Sequence, residues 1–279
     1  MSVGAGRLLE VAPAPARPRP RHLRRWRAVL ADGERTTVHV ASYAAEDTAI
    51  RLAVLRPAQP LEAWCAREGV RDAMVAGFFT RPRNVPLGEL RTRGVRRRSV
   101  PFLAPWDGVR ACVHLLAGEA ALAPRPELPR EPQGDLLQAG PMLVTDGRPV
   151  VTEGEDAEGF SKASAQFDSD ITAGRYPRAA LALAPGRIIA LAADGRSWRD
   201  AGLTLRELAD LLVALGAESA INLDGGGSAS LVCGGELRNR PRAEHDIELA
   251  GGRPIASALV FEPRQRSSSP PLHQRFTDR

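Results

Sequence analysis

Apolar and polar positions alternate clearly in two neighbouring stretches near the start of the chain, "ERTTVHVASY" (34–43) and "TAIRLAVLRP" (48–57), and both predict strands. "LEAWCAREG" then predicts a short helix closed by Gly69, and "DAMVAGFF" an apolar strand running into a loop. Further on, "DLLQAGPMLVTDGRPV" predicts strand, turn and strand about Asp146-Gly147. The proline-rich region 120–136 predicts a surface excursion, and 152–175 is polar and predicts no element. The Ala/Pro/Arg-rich residues 1–24 and the polar residues 264–279 predict disordered tails around one domain, 25–263.

From residue 176 the pattern is richer. "RAALALAPGRIIALAADGRS" carries two apolar runs about Pro185-Gly186, a pair that suits the centre of a type II turn. A two-residue loop there sets Ala184 opposite Arg187 and Arg178 opposite Ala193. Thr204 with Glu207 three residues later predicts a capping box, Leu205, Leu208, Leu212 and Leu215 share one helical face, and Gly216 stands where a C-cap glycine belongs. "SAINLD" follows as a strand. Strand, helix and strand together predict a parallel pair with a right-handed crossover. The expected fold is therefore α+β: a mixed sheet with helices packed on it, in a single domain ending in a strand-helix-strand unit.

That arrangement gathers polar side chains. Asp194 and Arg196 end one strand, and Asn222 and Asp224 end the next, on the edge where such units bind ligands. Arg178 reaches the same edge from its hairpin partner. A second hairpin about Gly234-Gly235 sets Asn239 opposite Ser230, beside the glycine run.

Composition narrows the classes. The chain has 279 residues and a net charge of +5, nearly all of the positive charge being arginine, with Lys162 the one lysine. An arginine-for-lysine bias arises from a GC-rich genome without any function. The densest run, "RTRGVRRRSV" (91–100), lacks the interleaved aromatics of a nucleic-acid surface and predicts a solvated loop or edge strand. Cys65, Cys112 and Cys233 show no spacing of a disulfide framework or zinc site. With no signal-peptide core and no run of about 18 apolar residues, the expectation is a cytoplasmic protein, unless a misassigned start hides an export signal.

The stretch "INLDGGGSASLV" (221–232) puts an amide and a carboxylate before three glycines and Ser228. Taken alone, the glycines read as a mobile connector. No lysine follows as a P-loop requires, no helix follows as a dinucleotide fingerprint requires, and "GGSAS" lacks the second glycine of a nucleophile elbow. Convergence of two arginines and two aspartates on one edge is what favours a site for an anionic substrate beside a carboxylate. For each residue alone, a plain turn or ion pair explains it at least as well.

In order, "YPRAALAL", "LAADGRS", "GLTLRELADLLVALGAESAINLDGGGSASLV", "NRP" and "RPIASALVF" resemble the phosphodiester glycosidase family, closely over about 140–262 and more loosely before. Two departures stand out: Val75 replaces the asparagine of an Asn-Gly-Gly-Phe-Phe pattern, and Ala229-Ser230 replaces the Ser/Thr end of the glycine motif. The resemblance implies cleavage of a sugar from a phosphodiester at the anomeric carbon. Asp224 would be nucleophile or general base, with Asp194 second. Arg178 and Arg196 would hold phosphate, and Asn222 and Asn239 the sugar hydroxyls. The amides of Gly225, Gly226 and Gly227, with Ser228, would approach the ligand. The implied partner is a small-molecule or glycan sugar-phosphodiester; no cofactor, metal or nucleic acid is expected. A non-catalytic carbohydrate- or phosphate-binding homologue is the alternative, and a serine hydrolase using Ser228 ranks far below.

Overall fold

A computed structural model describes residues 22–152, 154–161 and 171–264. Residues 1–21 and 265–279 of the expected tails lie outside the described residues, whereas His22 and the start of the first strand, Leu23–Val29, on one side and Arg264 on the other are described.

The two apolar runs form the hairpin Arg178–Ala184 and Arg187–Ala193, with Ala184 opposite Arg187 and Arg178 opposite Ala193. It lies inside a seven-stranded sheet ordered Leu23–Val29, Arg35–Ala44, Arg187–Ala193, Arg178–Ala184, Ser219–Asn222, Met142–Thr145, Arg148–Pro149. Both faces are covered, so the two hairpin strands are near-continuously apolar rather than alternating. On one face Ala180, Ala182, Ile189 and Leu191 meet Leu205, Leu208 and Leu212 of the helix Leu205–Ala214. That helix starts with the predicted capping box, Thr204 accepting from Glu207 N. At its end Gly216, at φ 86, lets Gly216 N and Ala217 N close on Val213 O and Leu212 O.

On the other face Leu181, Ile188, Ala190 and Ile221 join the main core with two further sheets. One is ordered Glu236–Leu237, Leu231–Cys233, Ala73–Val75, Ile255–Pro263, Thr48–Gln59. The other is ordered Glu119–Pro124, Ala111–Leu116, Asp135–Gln138, Leu90–Thr92, Val95–Arg96. The predicted helix Leu61–Glu68 ends at Gly69 in the left-handed region. The arginine run supplies the exposed edge strand Val95–Arg96.

The α+β expectation is overturned. The described residues are mainly β, in several antiparallel sheets with only two α-helices. The crossover reading failed for a definite reason. Strands Arg187–Ala193 and Ser219–Asn222 do run the same way, but Arg178–Ala184 lies between them and is antiparallel to both. A helical connection therefore spans one strand instead of making a parallel pair, and the sheet has no parallel neighbours. Part of the expected excursion 120–136 is the strand Glu119–Pro124. Among the described residues no helix is long and apolar enough to cross a membrane.

Candidate active site

Although the parallel pair is absent, its geometric consequence survives. Two strands running the same way end on one edge of the sheet, and a cavity of about 290 Å³ opens there. Its floor carries Asn222, Asp224, Gly225, Gly226 and Ser228, its sides Tyr176, Pro177, Arg178 and Arg196. The rest of the lining comes from Phe78 to Arg81, Leu87, Ile171, Leu223 and Arg253.

Asp224 is the one carboxylate among the described lining residues. Burial pushes its pKa up to about 6, against the opposing pull of the Ser228 hydroxyl, Arg253, the Gly225 amide and Arg81. Gly225 N donates to its Oδ1 at 2.9 Å, and its own amide is tied to Ala76 O at 3.0 Å. Four arginines share the cavity with this carboxylate: Arg81, Arg178, Arg196 and Arg253. Burial, then Arg81, hold the Arg253 guanidinium below its ordinary pKa, and Arg196 adds to the effect. Among the described lining residues the charge is thus cationic beyond what one aspartate neutralises.

Each arginine is aimed differently. Arg178 is 3% exposed; its Nε donates to Leu203 O at 2.9 Å and an NH2 to Gly174 O at 3.2 Å. Arg196 has a backbone φ of 58, in the left-handed region that non-glycine residues seldom occupy, and its guanidinium lies 5.3 Å from the Tyr176 ring. The same ring lies 5.2 Å from the Arg178 guanidinium. Arg253 precedes the strand Ile255–Pro263, whose partner Ala73–Val75 sets Ala258 opposite Val75. Arg81 lines the same cavity and is close enough to lower the Arg253 pKa.

Each glycine of the triplet is packed closely against protein. A Cβ on Gly225 would meet Pro177 O at 2.8 Å; on Gly226, at φ 59, Arg196 Nη1 at 3.1 Å; on Gly227, Leu249 Cδ1 at 2.8 Å and Arg253 Nη2 at 3.1 Å. Gly226 N is already bonded to Pro177 O, and Ser228 N to Gly225 O. Gly225 and Gly226 line the cavity; Gly227 does not. The triplet lets a turn nest beneath two arginines.

Besides Gly227, two of the expected residues sit outside the lining. Asp194 is outside the lining, sealed by His39 Nε2 at 3.1 Å and Arg240 N at 2.6 Å. Asn239 is likewise outside it: its Oδ1 accepts from Leu231 N and its Nδ2 donates to Ala229 O, clamping the strand after the glycine turn. Asn222 does line the cavity, with Nδ2 donating to Gly140 O at 3.0 Å and a buried Oδ1 that has no partner among the described residues. Val75 is fully buried in the main core and does not line the cavity.

Sequence reasoning passed over Arg81, Tyr176 and Arg253 as individual residues. Tyr176 and Arg253 open the quoted segments "YPRAALAL" and "RPIASALVF", so their position before a strand was a usable signal; Arg81 had none. Elsewhere, Arg96, Arg97 and Arg98 line a second cavity with Arg125 and Gln138.

The family model described as phosphodiester glycosidase matches residues 69–262, and the chain belongs to that family. Among solved structures it is similar to the catalytic domain of zebrafish N-acetylglucosamine-1-phosphodiester alpha-N-acetylglucosaminidase auto-inhibited by pro-peptide. The TM-score is 0.65 at 18% identity, over 87% of this chain and 82% of that one. It is also similar to a hypothetical protein from Synechocystis (TM-score 0.57, 19% identity, 87% and 62% covered). A putative exported protein from Burkholderia pseudomallei gives a TM-score of 0.59 at 17% identity, with 83% and 75% covered. At these identities the likenesses speak to fold. No curated protein sequence matches the chain.

Proposed function

We propose that this protein hydrolyses sugar-1-phosphodiesters at the anomeric carbon, releasing a free sugar and a phosphomonoester. The observation that carries the reading is a carboxylate, the one among the described lining residues, with its pKa raised to about 6 and facing several arginines in one cavity. Ordinary glycosidases use two carboxyl groups, one of them to protonate the leaving oxygen. A phosphate monoester leaves as a stabilised anion, so cations can replace that acid. Arg253, Arg196 and Arg81 take this role. Arg178, bonded to two carbonyls, fixes Tyr176 and the cavity wall beside it. Asp224, ionised, attacks the anomeric carbon or activates water, while the Ser228 hydroxyl and Gly225 amide steady its charge. Asn222 Oδ1, buried without a partner, accepts from a sugar hydroxyl.

The test is turnover across a panel of sugar-1-phosphodiesters, with free sugar measured, against pH. Because Asp224 must be charged, kcat/KM should rise through an acid limb near pH 6. Binding of the panel without release of sugar from any member would instead identify a non-catalytic binding homologue.

A further inference from the structure

At the end of the strand Leu231–Cys233 away from the glycine turn, three donor side chains meet: His22, Asp72 and Cys233. None lines the cavity. His22 precedes the first strand, Asp72 precedes Ala73–Val75, and Cys233 begins a hairpin turn. His22 Nε2 lies 3.1 Å from Asp72 Oδ1 and also 3.1 Å from Cys233 Sγ. A neutral imidazole nitrogen carries either one lone pair or one N–H, so it cannot serve both neighbours fully. In a cysteine-histidine-carboxylate relay, sulfur and carboxylate take opposite ring nitrogens. Here both converge on the same nitrogen, which is the wrong geometry for a relay.

It is the right geometry for a shared cation. The three donor atoms lie within 4.8 Å of one another. An ion about 2.0–2.3 Å from nitrogen, sulfur and oxygen in a tetrahedral arrangement sets those atoms about 3.3–3.6 Å apart, a few tenths of an ångström more than the shorter separations here. Outer contacts already hold the carboxylate: Tyr43 Oη donates to Asp72 Oδ1 at 3.2 Å and Gly234 N at 3.3 Å. The His22 side chain is 36% exposed, which leaves solvent a route to the cluster, while Cys233 is buried.

We propose that His22 Nε2, the Asp72 carboxylate and the Cys233 thiolate bind one divalent ion of the zinc class, with a water as fourth ligand. Mixed nitrogen, sulfur and oxygen donors select such a borderline ion over magnesium or calcium. Binding releases the Cys233 thiol proton to solvent. The thiolate and carboxylate then balance the ion's two charges, with the imidazole neutral. The ion would staple the start of the seven-stranded sheet to the sheet that carries the strand following the glycine turn.

The experiment titrates the chelator-treated full chain with Co²⁺ alone. One equivalent should bind, with a sulfur-to-cobalt charge-transfer band that Zn²⁺ bleaches, and Zn²⁺ should raise the melting temperature. Cys233→Ser should abolish the band, and His22→Ala should weaken Co²⁺ binding on the order of 100-fold. Cys65→Ser should leave both unchanged. A folded wild-type chain with no thiolate band under excess Co²⁺ overturns the proposal, as does a band that survives Cys233→Ser. Should Cys233→Ser not fold, unaltered Co²⁺ affinity in His22→Ala overturns it equally.

Discussion

Two aspartates stand at corresponding places, Asp194 after the strand Arg187–Ala193 and Asp224 after Ser219–Asn222, each followed by glycine on the same edge of one sheet. Their surroundings part them. Asp194 is enclosed by His39, the Arg240 amide and the Thr36 hydroxyl on its carbonyl, and it anchors the 239–242 segment to the sheet. Asp224 is partly exposed to a cationic cavity, and burial makes its charge costly. An Asp-Gly at a strand end is a bolt when its acceptor positions are filled from within. It is a reactive group when they face open space lined with cations.

The largest effect should separate the two. Asp224→Asn should lower kcat by at least about 10³-fold, the scale seen when a reacting carboxylate is lost, and yet stabilise the fold. The sign follows from its raised pKa. The folded state holds the proton more tightly than the unfolded one, so the contribution to stability is present below the ordinary 3.8 and lost as pH rises through about 6. Removing the charge should therefore raise stability at pH 7 by roughly 1–3 kcal/mol and leave it unchanged near pH 3. Melting temperature against pH on both proteins checks this; a variant less stable at pH 7 would make Asp224 a structural residue.

Next comes the converse. Asp194→Ala leaves the His39 ring nitrogen and the Arg240 amide without their acceptor in a buried place, and should cost about 2–4 kcal/mol of stability. Activity per folded molecule should fall far less than in Asp224→Asn. Turnover at a temperature well below the variant's midpoint tests the split, and a 10³-fold loss there would move Asp194 into the chemistry.

Much of this contrast was legible beforehand, and the rest has physical reasons for having been hidden. Hairpin register followed from a two-residue turn, and helix limits from Thr204, Glu207 and Gly216, because those signals are local. The shared edge was right although the parallel pair behind it was wrong: strand direction is set by the helical connection, whereas the place beside Ser219–Asn222 is taken by Arg178–Ala184, the hairpin partner of Arg187–Ala193. Separation of Asp194 from Asp224 was not legible, since it depends on His39 and Arg240, far away in sequence. For the same reason the cysteine spacing gave no sign of the His22, Asp72 and Cys233 cluster, whose members are brought together only by sheet packing.

Third in size, the arginines should differ as their hydrogen bonds do. Arg253→Ala should lower kcat/KM for a phosphodiester by about 1.5–3 kcal/mol, roughly 10- to 150-fold, through a lost charge-assisted contact. It should also raise the Asp224 pKa, shifting the acid limb upward, because Arg253 is among the groups that favour the charged carboxylate. Arg178→Ala should mainly lower stability, since its Nε and one NH2 serve Leu203 O and Gly174 O. Equal losses on a neutral aryl glycoside and a phosphodiester in Arg253→Ala would remove its assignment to phosphate.

The smallest effect concerns Val75, where the family pattern has asparagine. Its backbone lies in the strand Ala73–Val75, its amide is bonded to Ser230 O at 3.0 Å, and its side chain is 0% exposed within the main core. The neighbouring Ala76 carbonyl, not the Val75 side chain, is what touches the active-site segment, by accepting from Asp224 N. An amide side chain in this apolar setting would be buried without assured partners, at a cost of roughly 1–3 kcal/mol. Val75→Asn should therefore lower the melting temperature and leave kcat/KM on every sugar-1-phosphodiester within a few-fold of wild type. A gain in turnover on any of them would show that position 75 reaches the cavity after all. It would also mean that the residues facing the substrate begin at position 75 and not at Phe78.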